Sequence, residues 1–152
     1  MRHVSEVLVP GFGRQVLLCR GKMPRARRMA TYVRDGFGAF RQPKFECGRC
    51  VMLVFRVCGV RQNIYVYSLY RNPDLDDRIF DCLLASMAAV QAEDVRGSFL
   101  FVCDLNGHHR EWLGFATTPN RRGVAAFAFA TVSGCDQLVV GPTHADVLMF
   151  LT

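Results

Sequence analysis

An α/β fold is predicted for this chain by three features of its 152 residues. Two apolar runs rich in β-branched and aromatic residues, 51–57 and 64–70, read as an antiparallel hairpin. Apolar residues at helical spacing follow at 79–90. A further apolar run, 98–103, then completes strand–helix–strand, a unit that joins two parallel strands through a right-handed crossover.

In chain order, residues 1–28 read as an irregular basic segment, with possible short strands at 7–9 and 15–19 on either side of Pro10-Gly11-Phe12-Gly13. Residues 29–34 form a possible strand ending near Asp35-Gly36. The connection between the strands 51–57 and 64–70 is short enough for a hairpin. Pro73 ends the second of them, and Asp74, Asp76 and Asp77 suit a helix N-terminus. Ile79, Leu83, Met87 and Val90 make the apolar stripe of that helix, widened by Phe80 and Leu84. The run 98–103 reads as a fully buried strand. A second helix spans 123–132, with Gly134 as its C-terminal stop. Residues 138–140 read as a short buried strand, with Thr143-His144 in the loop beyond.

The length allows one domain with a sizeable core. A composition 51% hydrophobic and 21% charged excludes a disordered chain. No apolar run is long enough to span a bilayer, and the first residues lack the apolar core of a signal peptide, so an intracellular protein, nuclear or cytoplasmic, is expected. Seven cysteines, an odd number set mostly in apolar stretches, fit buried thiols better than a disulfide framework. Cys47-Gly48-Arg49-Cys50 lacks two further ligands at zinc spacing.

Charge is unevenly distributed. Residues 1–50 carry eleven Lys or Arg against three acids, whereas the remainder carries eight against ten. The cluster Arg20, Lys22, Arg25, Arg27 and Arg28 can attract a phosphate backbone, serve as an import signal, or form a solvated loop.

The chemistry concentrates behind the run 98–103. Asp104 and Asn106 are two residues apart on extended backbone and therefore point the same way. A carboxylate can orient or deprotonate a water, and a carboxamide can donate to an oxyanion without adding negative charge. An Asx turn capping the next helix is the structural alternative. The parallel crossover also brings Tyr70, at the end of its own strand, to the same sheet edge as Asp104, which is where α/β sheets present their sites. His108 and His109 follow in the next turn, and Trp112 reads as a packing anchor.

Taken together, the segments 64–73 (IYVYSLYRNP), 99–112 (FLFVCDLNGHHREW) and 134–144 (GCDQLVVGPTH) resemble the endonuclease/exonuclease/phosphatase superfamily. The resemblance is strongest to the apurinic-endonuclease-like domain of non-LTR retrotransposons. It covers roughly residues 29–145, so 29–152 is read as an incomplete domain of that type. It implies a partial two-sheet α/β sandwich that hydrolyses phosphodiesters with a divalent metal, usually magnesium. By position, Tyr70 would contact or polarise the scissile phosphate, Asp104 would orient or activate the attacking water, and Asn106 would hydrogen-bond the phosphate. Asn72, His108 and His109 would touch substrate. The implied partner is nucleic acid, DNA ahead of RNA, with no membrane association.

The departures from that family are specific. Its metal-binding Glu, an earlier Asn, and its C-terminal Ser-Asp-His segment have no counterparts here, and neither Glu6 nor Glu46 stands at a matching strand end. Asp146 could stand in for the Asp that the family's strand carries, moved by a short deletion after Thr143-His144. Cys103 replaces the Gly that usually precedes the Asp. Asp104 and Asp146 are therefore the metal candidates. The expectation is a DNA-nicking enzyme impaired by truncation, with a catalytically dead nucleic-acid-binding remnant as the alternative. His144 is expected to satisfy a hydrogen bond in its loop.

Overall fold

A computed structural model of the chain describes residues 10–17, 29–47, 51–70, 78–105, 107–111 and 118–139. Among the described residues five strands precede the first α-helix, strand–helix–strand–helix follows from β5 onward, and the whole falls into two compact units. The first comprises Met1–Arg71 with Ala85–Asp104, the second Asn72–Leu84 with Leu105–Thr152.

The first unit contains two sheets. Strand β1 (Phe12–Leu17) pairs antiparallel with β2 (Met29–Arg34), so the pairing crosses the boundary drawn at residue 28. Four further strands, β3 (Ala39–Arg41), β4 (Val51–Val57), β5 (Ile64–Tyr70) and β6 (Ser98–Asp104), form a sheet in the order β3-β4-β5-β6. The hairpin expected between β4 and β5 is present, and β5 pairs parallel with β6. Thr31 Oγ1 donates to Ser68 Oγ at 3.3 Å, which joins the two-stranded sheet to one face of β5.

Alternation along β5 explains its other face. Tyr65, Tyr67 and Leu69 are buried, while Val66 and Ser68 between them are half-buried. In β4, Met52, Leu53, Val54 and Phe55 are all buried, as befits a strand flanked by neighbours and covered on both faces. Tyr67 packs on Phe101 with ring centroids 5.0 Å apart, and Tyr65 meets Phe45 edge-on at 6.1 Å. Phe45 ends a short 3-10 turn, Pro43–Phe45, which the apolar pattern does not announce.

Helix α1 (Arg78–Glu93) contributes to both units. Ile79, Phe80, Leu83, Met87 and Val90 are buried as their spacing predicts. Leu84 does not widen the stripe: it is 37% exposed, because its position turns away from the buried arc. The expected start of the helix at 72–77 lies outside the described residues.

In the second unit, α2 (Arg121–Ser133) matches the expected helix and begins two residues earlier. Gly134 takes the left-handed conformation (φ 64°) that ends it, as read from the sequence. Phe80, near the start of α1, packs on Phe129 of α2 with centroids 5.5 Å apart.

Three expectations require correction. The run 98–103 is not fully buried: β6 lies at the edge of its sheet among the described strands, Val102 is 47% exposed, and Cys103 is exposed as well. Residues 138–139 are not a buried strand, since Leu138 is 75% exposed and no strand is assigned there. The described cysteines are not buried either; Cys58 and Cys103 are exposed, and Cys47, Cys82 and Cys135 are half-buried thiols.

Candidate functional site

The crossover places the C-terminal ends of β5 and β6 side by side. Their register runs from Ile64↔Ser98 to Tyr70↔Asp104, so the two residues singled out at the sheet edge form the terminal pair of neighbouring parallel strands. Adjacent strands lie about 4.8 Å apart, so the two backbone positions are direct neighbours across the sheet. Three other predicted site residues, Asn72, Asn106 and Asp146, lie outside the described residues.

His108 and His109 belong to the second unit, where the loop after β6 is fastened to the start of α2. The Asn120 backbone N–H donates to the His108 carbonyl at 3.0 Å, and the His108 N–H donates to Asn120 Oδ1 at 3.1 Å. The same Oδ1 accepts from the Gly123 N–H at 2.7 Å, which caps the helix. The backbones pack so closely that a Cβ at Gly123 would stand 1.9 Å from the His108 oxygen. A Cβ at Gly107 would come within 3.1 Å of the Gly123 backbone. Gly123 is therefore required for space rather than for an unusual φ, whereas a side chain at Gly107 would meet a tight contact.

His108 itself is exposed. The half-buried ring of His109 stacks on Phe127, with centroids 4.3 Å apart and planes within 11°. Its Nδ1 accepts from the Glu111 N–H at 3.3 Å, which leaves Nε2 as the ring nitrogen that can donate. Pattern reading missed the role of Asn120, although an Asn after Pro119 and directly before an apolar helix is an N-cap signature.

Two carboxylates elsewhere have structural duties. Glu46 accepts from Arg41 Nε and Nη2 at 2.9 and 2.8 Å and from the Val54 N–H at 3.2 Å. Both of its oxygens are thereby engaged within the fold. Asp94 accepts from Asn63 Nδ2 at 2.7 Å and from the Tyr65 hydroxyl at 3.2 Å. The Asn63 bond above all holds the Asp94 carboxyl below its ordinary value, while burial, with Asp94 adding to it, pushes the Tyr65 phenol up.

The family resemblance implies magnesium, a hard cation that seeks several oxygen ligands in octahedral geometry. Among the described residues no three His, Cys, Asp or Glu side chains come together to hold a metal. The described donors by themselves do not complete a magnesium site.

The architecture defines a mixed α/β fold built on a four-stranded sheet with a strand–helix–strand crossover at its edge. Among solved structures, the endonuclease domain of TRAS1, a telomere-specific non-LTR retrotransposon, shares it: the TM-score is 0.55 at 17% sequence identity. The match covers 80% of this chain and 52% of that domain, so the chain spans about half the length of its structural neighbour. No protein-family model and no curated protein matches the sequence. No helix among the described residues is long and apolar enough to cross a membrane.

Proposed function

We propose that this chain is a nucleic-acid-directed domain of the endonuclease type, acting on phosphodiester bonds at the C-terminal ends of β5 and β6. The observation that carries the reading is the register pair Tyr70↔Asp104. Phosphodiester hydrolysis needs an oriented water and a donor to the phosphoryl oxygens, because negative charge develops there in the transition state. Asp104 supplies the carboxylate for the first task. Tyr70, and Asn106 two residues beyond Asp104, supply donors for the second. A net charge of +6 favours a polyanionic partner. DNA is the first substrate to test, with RNA of equal length beside it.

The commitment of Glu46 to Arg41 favours a second reading, in which the domain retains nucleic-acid binding and has lost turnover. Magnesium held by few oxygen ligands binds weakly, and parts of a catalytic unit fail together rather than in proportion. Nicking of supercoiled plasmid by the purified chain, with and without magnesium and beside Asp104→Ala, separates the readings. Metal-dependent nicking that vanishes in the variant supports the hydrolase. Salt-sensitive binding without nicking supports the binding remnant, and activity unchanged in Asp104→Ala removes Asp104 from the mechanism.

A further inference from the structure

Asn120 does more than start a helix. An N-cap needs only an acceptor for the backbone of the first turn, here Gly123 N–H. Asn120 also bonds both backbone groups of His108, twelve residues earlier, once through its side chain and once through its own N–H. Gly107 and Gly123 clear the space that this approach requires, since a side chain at 123 would collide with the His108 backbone. Three residue choices thus serve the conformation of one short loop, the loop that follows Asp104 in the chain. The adjacent His109 is held against Phe127, with Nδ1 occupied by the Glu111 N–H.

We infer that Asn120 is a positioning residue: by clamping His108 to the first turn of α2, it presents the His109 Nε2–H as an oriented donor for a phosphate oxygen of the nucleic acid. The inference rests on the nucleic-acid reading above and gives it a residue and an atom. A donor whose tautomer and ring plane are set before binding loses little freedom on contact, so its hydrogen bond is worth more than that of a mobile side chain. The clamp acts through His109 and touches no substrate itself.

The experiment uses the full chain and reads two quantities. Two-bond proton–nitrogen spectra of the imidazole report the His109 tautomer, and fluorescence anisotropy with a short DNA duplex at low salt reports affinity. Asn120→Ala and Gly123→Ala break the clamp without changing charge, while Asn120→Asp keeps the acceptor and controls for folding. Both clamp-breaking variants are expected to lose the fixed Nε2–H signature and to bind about tenfold more weakly, the effect of one oriented hydrogen bond. Their combination is expected to be no weaker than either alone, and Asn120→Asp is expected to retain the signature. A fixed tautomer in Asn120→Ala, or a lost tautomer with unchanged affinity, overturns the inference. Failure of the wild-type chain to bind overturns the nucleic-acid reading itself, and a fixed wild-type tautomer in that case leaves the clamp as a purely structural device.

Discussion

Tyr70 and Asp104 are the last register partners of two parallel strands that enter the sheet 34 residues apart in sequence. Helix α1 lies in the interval, and the parallel pairing of β5 with β6 leaves the two strand ends on the same edge. A sheet of this kind delivers its chemistry at the carboxyl ends of its strands, because the backbone leaves the ladder there and side chains meet solvent and ligand.

Asp104→Ala is expected to reduce any metal-dependent plasmid nicking by at least about a hundredfold, the scale on which an acid–base group contributes. Tyr70→Phe, which removes only a hydroxyl, is expected to reduce it less. Thermal melting of both variants checks the folding side: a strand end can lose these groups with little change in melting temperature.

Ser86 carries the clearest prediction about stability. Its hydroxyl lies buried within α1, donating to the Phe45 carbonyl at 2.6 Å and standing 2.9 Å from the Tyr67 hydroxyl. Ser86→Ala strands two buried polar groups and is expected to cost about 1–3 kcal/mol in urea unfolding. Adding Tyr67→Phe removes one of the stranded groups, so the double variant is expected to be less destabilised than the two single effects summed.

The acid limb of stability tests Asp94. Its folded pKa is lowered, so its contribution is present above the ordinary carboxylate value of 3.8 and fades as the pH falls through the folded value. Asp94→Asn is expected to flatten that acid limb and to leave the difference from wild type largest at neutral pH. Urea midpoints between pH 3 and 7 measure it, and an identical pH profile in the variant would exclude the carboxylate as the source.

Gly123→Ala and Gly134→Ala separate two reasons for glycine. At 134 the backbone is left-handed with open space around it, so alanine is expected to cost about 1 kcal/mol. At 123 the cost is expected to be larger, because a backbone carbonyl rather than a mobile side chain must move. Paired melting curves rank the two.

Much of the fold is legible along the chain because its determinants are local. Alternation and aromatic content reveal β4 and β5, a 3.6-residue stripe reveals α1, and an isolated glycine marks the end of α2. The errors share another cause. The run 98–103 and the segment 138–140 are apolar enough for a core, yet composition does not say whether a strand lies in the middle of a sheet or at its edge. β6 has a single sheet partner among the described strands, and Val102 is exposed accordingly. The short strand β3 and the turn at 43–45 carry too few residues to establish a period, so only pairing with β4 and burial of Phe45 define them.

The candidate site divides along the same line. Residue order alone identified the strand–helix–strand unit, Tyr70 and Asp104 as strand-end residues, and a helix stopping at Gly134, since each depends on neighbours within a few positions. Only the tertiary structure decided that Glu46 is bound up with Arg41, that Thr31 meets Ser68 between two sheets, and that Asn120 reaches back to His108. Those contacts join residues whose side chains have many possible partners of similar chemistry. Packing chooses among them, because each buried polar group must find a partner in the space the backbone leaves.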